Sequence, residues 1–427
     1  MPRWYLPRLV SLVAAFVALA ALVACAPEPI VPAPLAAPQP PYGPPPPAPH
    51  PPPPTAMAPA GPAKIALLVP LSGSNARLGN AILDAAQMAL FETGGDQLTL
   101  VPRDTHGTPA GAADAARSAI NDGVKLILGP LLAAEVEAVA PIARDAHVDV
   151  IAFSTVTDLA GDGIYLMGFL PRQEVVREVA YARERGIGRF AALAPNTPYG
   201  HLMADALRET VASTGAGVAR VAFYQPGDAG DMSTAIATLL PSGPLPAPVT
   251  GATDAPGLPA AAPPPVVPSF DALLLPEGGD QLRDIAGKLA SAGLDTRAIR
   301  LLGSGLWDVP DVGRDPTLDG GWFAASPPDA RRDFERRFQA TYGQEPPRLA
   351  SLGYDAAALA AFLASGKFGP PFSPAAIENP NGFSGVDGLF RFTPGGLVQR
   401  ALAVLEVEPQ GNVVVSPAPQ SFRDLAY

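Results

Sequence analysis

From Ala63 onward, short continuous apolar runs alternate with longer stretches whose apolar residues recur every three to four positions, and this restricts the fold more than any other feature. Lys64-Ile65-Ala66-Leu67-Leu68-Val69-Pro70 has no polar face after its first residue, the pattern of a strand covered on both sides in a parallel sheet. A Gly/Ser loop, Leu71 to Ser74, follows. Leu78 to Phe91 then reads as a helix with Ile82, Ala85, Ala86 and Ala89 on one face. The alternation continues through strands at Leu98 to Pro102, Lys125 to Leu128 and Val148 to Phe153, with helices at Gly111 to Asn121 and Glu135 to Ala146 between them. Strict alternation with short loops predicts an α/β fold with a doubly wound parallel sheet.

A second set of the same kind begins near Glu174. Its helices are predicted at Glu174 to Arg185, His201 to Thr214, Met232 to Leu240 and Asp280 to Ala292, and its strands at Phe190 to Ala194, Gly217 to Tyr224, Phe270 to Leu275 and Ile299 to Leu302. Pro241 to Pro268, rich in Pro, Ala and Gly, interrupts this set and reads as a disordered insertion. Single cores stop growing at about 250–300 residues, so two lobes are expected. The division predicted for residues 63–416 places 63–172 and 325–384 in the first lobe and 173–324 and 385–416 in the second.

The other end of the chain has a different character. Arg3 and Arg8 precede an uncharged apolar run, Leu9 to Val23, which has the layout of a secretory signal and is short for a membrane span. The run closes on Leu22-Val23-Ala24-Cys25, which resembles the lipobox of bacterial lipoproteins. That resemblance implies a signal peptide over residues 1–24 and lipid on Cys25, while Ala26 in place of Asp implies sorting to the outer membrane. Residues 25–62 would then be a Pro-rich tether, extended at about 3.1 Å per residue.

Cys25 is the sole cysteine, so no internal disulfide and no thiolate metal cluster can form. The formal charge is −11 and the only charged residues before Cys25 are basic, so the chain beyond it is more acidic still. An acidic surface argues against nucleic acid as a partner, and bilayer attachment is assigned to the lipid.

The order of elements resembles the type I periplasmic binding proteins, which include leucine/isoleucine/valine receptors. The resemblance rests on Ile65 to Gly73 with Leu78-Gly79, Asp104 to Pro109, Ile127-Leu128-Gly129-Pro130, Pro198-Tyr199-Gly200, Tyr342 to Pro346, Gly353-Tyr354-Asp355-Ala356 and Gly385 to Val413. It implies a two-lobed fold with one cleft. Open α/β sheets bind ligands outside the carboxyl ends of their strands, so the loops after Pro70, Gly129, Phe153, Ala194 and Leu275 should converge there. The candidate cleft residues are Ser72, Gly73, Leu131, Ser154, Thr155, Tyr199, Glu277 and Trp307, with ordinary turn, cap or core roles as the alternative for each.

In the amino-acid receptors a hydroxyl after the third strand, together with a carboxylate and a tyrosine from the second lobe, holds the ligand's charged groups. Here that loop reads Leu131-Leu132-Ala133-Ala134, Leu301 to Trp307 carries no carboxylate, and Leu274-Leu275-Pro276 has no tyrosine. Burying an unpartnered zwitterion costs several kcal/mol at least.

Leu67 to Gly73, Gly129-Pro130-Leu131-Leu132 and Leu302 to Trp307 resemble the penicillin-binding-protein activators, lipoproteins that stimulate peptidoglycan synthases. This resemblance implies an outer-membrane adaptor facing the periplasm, with such a synthase as partner. The alternative is a tethered solute receptor of the leucine-binding type, with a small-molecule ligand.

Enzyme signatures lack their required context. Gly186-Ile187-Gly188-Arg189-Phe190-Ala191 matches a dinucleotide fingerprint in letters, but it ends a helix and enters a strand, the reverse of the needed order. His50, His106, His147 and His201 are scattered, and His106 reads as turn chemistry. No catalytic residue, metal site or cofactor is therefore predicted.

Overall fold

The computed structural model describes residues 61–93, 97–240, 268–367 and 369–423. The signal-like segment, Cys25 and the Pro-rich stretch as far as residue 60 lie outside these residues, as does the Pro/Ala-rich insertion except for Pro268.

The first lobe is built on a parallel five-stranded sheet in the order β2-β1-β3-β4-β5. Its strands are β1 (Ala63–Val69), β2 (Leu98–Asp104), β3 (Leu126–Leu128), β4 (Asp149–Ala152) and β5 (Ile164–Leu166). The central strand β1 explains the uninterrupted apolar run. Ile65, Leu67 and Val69 pack on one face of the sheet with α1 (Ala76–Glu92) and α9 (Ala350–Ala364), while Ala66 and Leu68 pack on the other with α2 (Pro109–Asn121) and α3 (Ala133–Asp145). Two covered faces leave no position for a polar residue.

The second lobe holds a seven-stranded sheet in the order β15-β14-β10-β9-β8-β6-β7. Strands β6 (Arg189–Pro195), β7 (Gly217–Tyr224), β8 (Ala272–Leu274), β9 (Arg300–Leu302) and β10 (Trp322–Ala325) are parallel, and β14 (Ala403–Glu406) and β15 (Val413–Ser416) are added antiparallel at one edge. Helices α4 (Pro171–Glu184), α5 (Pro198–Ser213), α6 (Ala229–Leu239) and α7 (Gly279–Ser291) cover it.

One expected boundary differs. Strands β11 (Phe383–Gly385), β12 (Gly388–Phe392) and β13 (Val398–Arg400) form a separate antiparallel sheet whose Phe383, Phe390, Phe392 and Val398 enter the core of the first lobe. Residues 385–400 thus pack on the first lobe and not, as the sequence division had it, on the second. Aromatic packing against α9, with Phe362 and Phe383 edge to face at 5.5 Å, holds them there.

The chain passes between the lobes at Met167–Leu170, at Ser326–Pro327 and at Ala401–Leu402. Helix α4 locks two of these segments together. Gln173 accepts the Arg400 N–H at 2.9 Å and donates to the Val398 carbonyl, and Arg177 Nε donates to the Leu402 carbonyl at 3.0 Å.

Candidate functional site

A cavity of about 520 Å³ lies between the lobes, within the size range of small-molecule sites. It opens where β1, β3, β4, β6 and β9 end, as expected for open α/β sheets. The first lobe contributes Leu131, Leu132 and Ala133 after β3, and Phe153, Ser154, Thr155 and Val156 after β4. The second lobe contributes Tyr199, Gly305, Leu306 and Asp308. Gln173, Ser326, Arg400 and Leu402, at or beside the crossings, form the floor, with Phe169, Arg348 and Leu349 beside them.

Local chemistry places these groups. Tyr199 lies in the first turn of α5, in a Thr-Pro-Tyr-Gly cap: Thr197 Oγ1 accepts the Gly200 N–H at 3.2 Å and Pro198 opens the helix. A Cβ on Gly200 would stand 2.0 Å from the Pro195 carbonyl oxygen, so only glycine fits. Ser154 is buried, and its Oγ accepts the Val156 N–H at 3.2 Å, which turns the chain into the cavity wall. Burial, with Glu174 nearby, raises the Tyr199 phenol far above its ordinary range.

The candidate residues separate into two groups. Leu131, Ser154, Thr155 and Tyr199 line the cavity, whereas Ser72, Gly73, Glu277 and Trp307 are not in its wall. Trp307 is fully buried in the core of the second lobe, and its indole N–H donates to the Glu277 carbonyl at 3.0 Å. The Glu277 carboxylate accepts the Tyr224 hydroxyl. A strand-end position suggested a cleft shelf, but the short 3-10 turn Gly305–Trp307 rotates the ring inward, stacked over Gly303, whose Cβ would lie 2.2 Å from the indole.

Ser72 Oγ sits 2.8 Å from His106 Nδ1, and Asp104 Oδ2 is 3.0 Å from the same nitrogen. Because both partners use Nδ1, the ring cannot pass a proton from the serine to the carboxylate, so this trio is not a relay. His106, at φ 55°, and Gly73, at φ 78°, shape the loop. Among the described residues no group of three or more His, Cys, Asp or Glu is placed to hold a metal ion.

Charged residues that the sequence did not single out dominate the cavity floor. Arg400 is 2 % exposed and donates from Nη2 to the Met167 carbonyl at 2.7 Å, while Nε and Nη1 have no hydrogen-bond partner. Its guanidinium lies 4.8 Å from the Phe169 ring centre, and that of Arg348 lies 4.1 Å from the same ring. Arg348 pairs with the buried Asp387 at 2.8 Å. Asp355 accepts the Val386 N–H at 2.7 Å, and burial together with Asp387 raises its carboxyl, whereas Arg348 and Arg400 help hold Asp387 low against its own burial.

On the second lobe, Glu174 accepts the Gly305 N–H at 2.8 Å, and burial pushes its carboxyl up to about 8. One turn on, Glu178 accepts the Ala324 N–H at 2.8 Å and is also raised by burial. One signal could have found these groups: Glu174 and Glu178, one turn apart, fall on the same helix face as Val175, Val179 and Ala182, a charge pattern inside an apolar stripe.

Residues 62–412 match the family described as periplasmic binding protein. No curated protein matches. Among solved structures, a putative branched-chain amino acid ABC transporter protein from Rhodospirillum rubrum is 19 % identical, with 83 % of this chain and 100 % of that one aligned at a TM-score of 0.68. A leucine-binding protein from Thermotoga maritima is 19 % identical over 83 % of this chain and 98 % of its own, with a TM-score of 0.55. A solute-binding protein of an ABC transporter from R. palustris, solved with benzoate, is 18 % identical over 84 % and 98 %, with a TM-score of 0.56. At such identities the likeness is one of fold. The family match spans most of the chain and the two-lobed architecture agrees with it, so the chain belongs to the periplasmic binding protein family and has the two-lobed type I fold of the leucine-binding protein.

Proposed function

We propose that this protein is a periplasmic solute receptor that takes a small, largely apolar ligand between its lobes and is tethered to a membrane through lipid on Cys25. The observation that carries this reading is the interlobe cavity of about 520 Å³, walled by strand-end loops of both lobes and floored by the crossing segments. The family suggests a periplasmic location, and its solved relatives include receptors whose descriptions name leucine and benzoate. Thermal melting of the purified chain against a panel of small solutes tests it. A binding solute raises the melting temperature in proportion to RT ln(1 + [L]/Kd), and a panel spanning acids, amides and amino acids that leaves melting unchanged defeats it.

One observation favours a second reading, an outer-membrane adaptor that activates a peptidoglycan synthase. The loop after β3 offers the cavity only Leu131, Leu132 and Ala133, with no hydroxyl for an amino-acid ligand. Under that reading the purified chain accelerates glycan polymerisation or cross-linking by a penicillin-binding protein of the same cell. An unchanged rate with every such synthase excludes it.

A further inference from the structure

Resting on the receptor reading, we infer that the hinge-side floor of the cavity is a seat for a small carboxylate, formed by Arg348, Arg400 and Ser326, and that the cavity has no seat for an ammonium group.

Ser326 is 3 % exposed, lines the cavity and has no partner for its hydroxyl. Arg400 is 2 % exposed, lines the same floor and leaves two N–H groups unpaired. Buried donors without partners are costly, so a group that accepts from them gains what they lack. Both arginines lie against the Phe169 ring, and the carboxylate that pairs there, Asp387, is bonded to Arg348. Oxygen acceptors suit them, since guanidinium forks match carboxylates.

The charges around the floor point the same way. Arg331 is matched by Asp308 and Glu335 and Arg348 by Asp387, whereas Arg400 makes no ion pair among the described residues. Burial favours the neutral acid at Glu174 and raises Asp355, so neither fully cancels the remainder near neutral pH. A ligand ammonium is held best by an ionised carboxylate, and neither acidic group in the cavity wall offers one near neutral pH: Asp308 is taken up by Arg331, and Glu174, buried against the Gly305 N–H, favours the neutral acid. The rest of the wall, Leu78, Leu131, Phe153, Leu306 and Leu349, accepts an aliphatic or aromatic body.

Four compounds on one carbon skeleton separate the possibilities by titration calorimetry on the full chain: 4-methylpentanoate, its amide, leucine and leucinamide. The same set on the phenylalanine skeleton, beginning with 3-phenylpropionate, covers a larger body. The free acid should bind at least ten-fold more tightly than its amide or the matching amino acid, and leucinamide should not bind. Ser326→Ala should weaken the acid several-fold and Arg348→Gln at least ten-fold, with little change in the amide. Ser326→Ala removes only an unpaired hydroxyl, so it reports even if Arg348→Gln unfolds.

Equal binding of acid and amide, tighter binding of the amino acid, or acid binding indifferent to both substitutions overturns the carboxylate seat and leaves the receptor reading standing. No binding by any compound in either set, together with a flat melting panel, overturns both.

Discussion

Arg331 and Asp308 belong to different lobes and form a two-pronged ion pair beside the hinge, with Nη2 2.9 Å from Oδ1 and Nη1 on Oδ2. Arg331 projects from α8 (Pro328–Tyr342), which packs through Phe334 and Phe338 on Ala81, Ala85 and Met88 of α1 in the first lobe. Asp308 caps the 3-10 turn after β9 in the second. Their side chains are 12 % and 7 % exposed, so the pair is nearly dry and ties the lobes together at the cavity edge.

Removing Arg331 leaves the buried Asp308 with only the distant Arg348, at 3.9 Å, as a counter-charge. Arg331→Met should therefore destabilise the chain by about 3–5 kcal/mol, read by urea denaturation. Replacing both partners with apolar residues, as in Arg331→Met with Asp308→Leu, should recover most of that loss. Small-angle scattering should also show a larger radius of gyration for the single variant. A single variant as stable and compact as the parent would mean the pair does not hold the lobes.

The pH dependence follows from Glu174. Its folded pKa of about 8 lies above the unfolded value, so the folded chain keeps a proton that the unfolded chain has lost. Stability is therefore fully present below the unfolded pKa and falls as pH rises toward 8. Asp149, raised to about 6 by burial and by Glu378, confines its share to lower pH. Glu174→Gln retains an acceptor for the Gly305 N–H and should flatten the decline in melting temperature between pH 6 and 8. Glu178 and Asp355, also raised, should leave part of it. Equal slopes in the two proteins would show that Glu174 does not contribute.

Helices α1 and α9 cross so closely that a Cβ on Gly353 would stand 2.4 Å from the Ile82 carbonyl oxygen. Gly353→Ala should therefore cost about 1–3 kcal/mol through forced separation of the helices, even though alanine favours helix. Denaturant melts measure this, and a neutral or stabilising result would mean the helices part freely.

Cys25→Ser should leave the precursor uncleaved or release the chain from the membrane fraction, since acyl chains would be its strong bilayer attachment. Metabolic labelling with palmitate tests this directly. Labelling that persists in the serine variant would place the lipid elsewhere.

Periodicity alone determined the two α/β layers. Ile65 to Val69 could be read as a central strand because a strand covered on both faces excludes polar residues at every position, a constraint written locally. The Thr-Pro-X-Gly caps at Thr108 and Thr197 were equally local, since each is closed within three residues. That locality is why Tyr199, Ser154, Thr155 and Leu131 could be assigned to strand-end loops, all of which reach the cavity. Trp307 could not be assigned to the core in this way, because a single turn of 3-10 helix, invisible to apolar spacing, decides which way the ring faces. The fate of residues 385–400 was likewise open, because short antiparallel strands carry no mark of the lobe they join, and only the packing of Phe383 and Phe390 against the first lobe decides it. The charged floor lay furthest from the sequence. Arg400, Arg348, Ser326 and Glu174 come from separate stretches of chain and meet only when three crossings bring the lobes together, so the burial of Arg400, Ser326 and Glu174, the raised Glu174 carboxyl and the unpaired donors are properties of the tertiary structure alone.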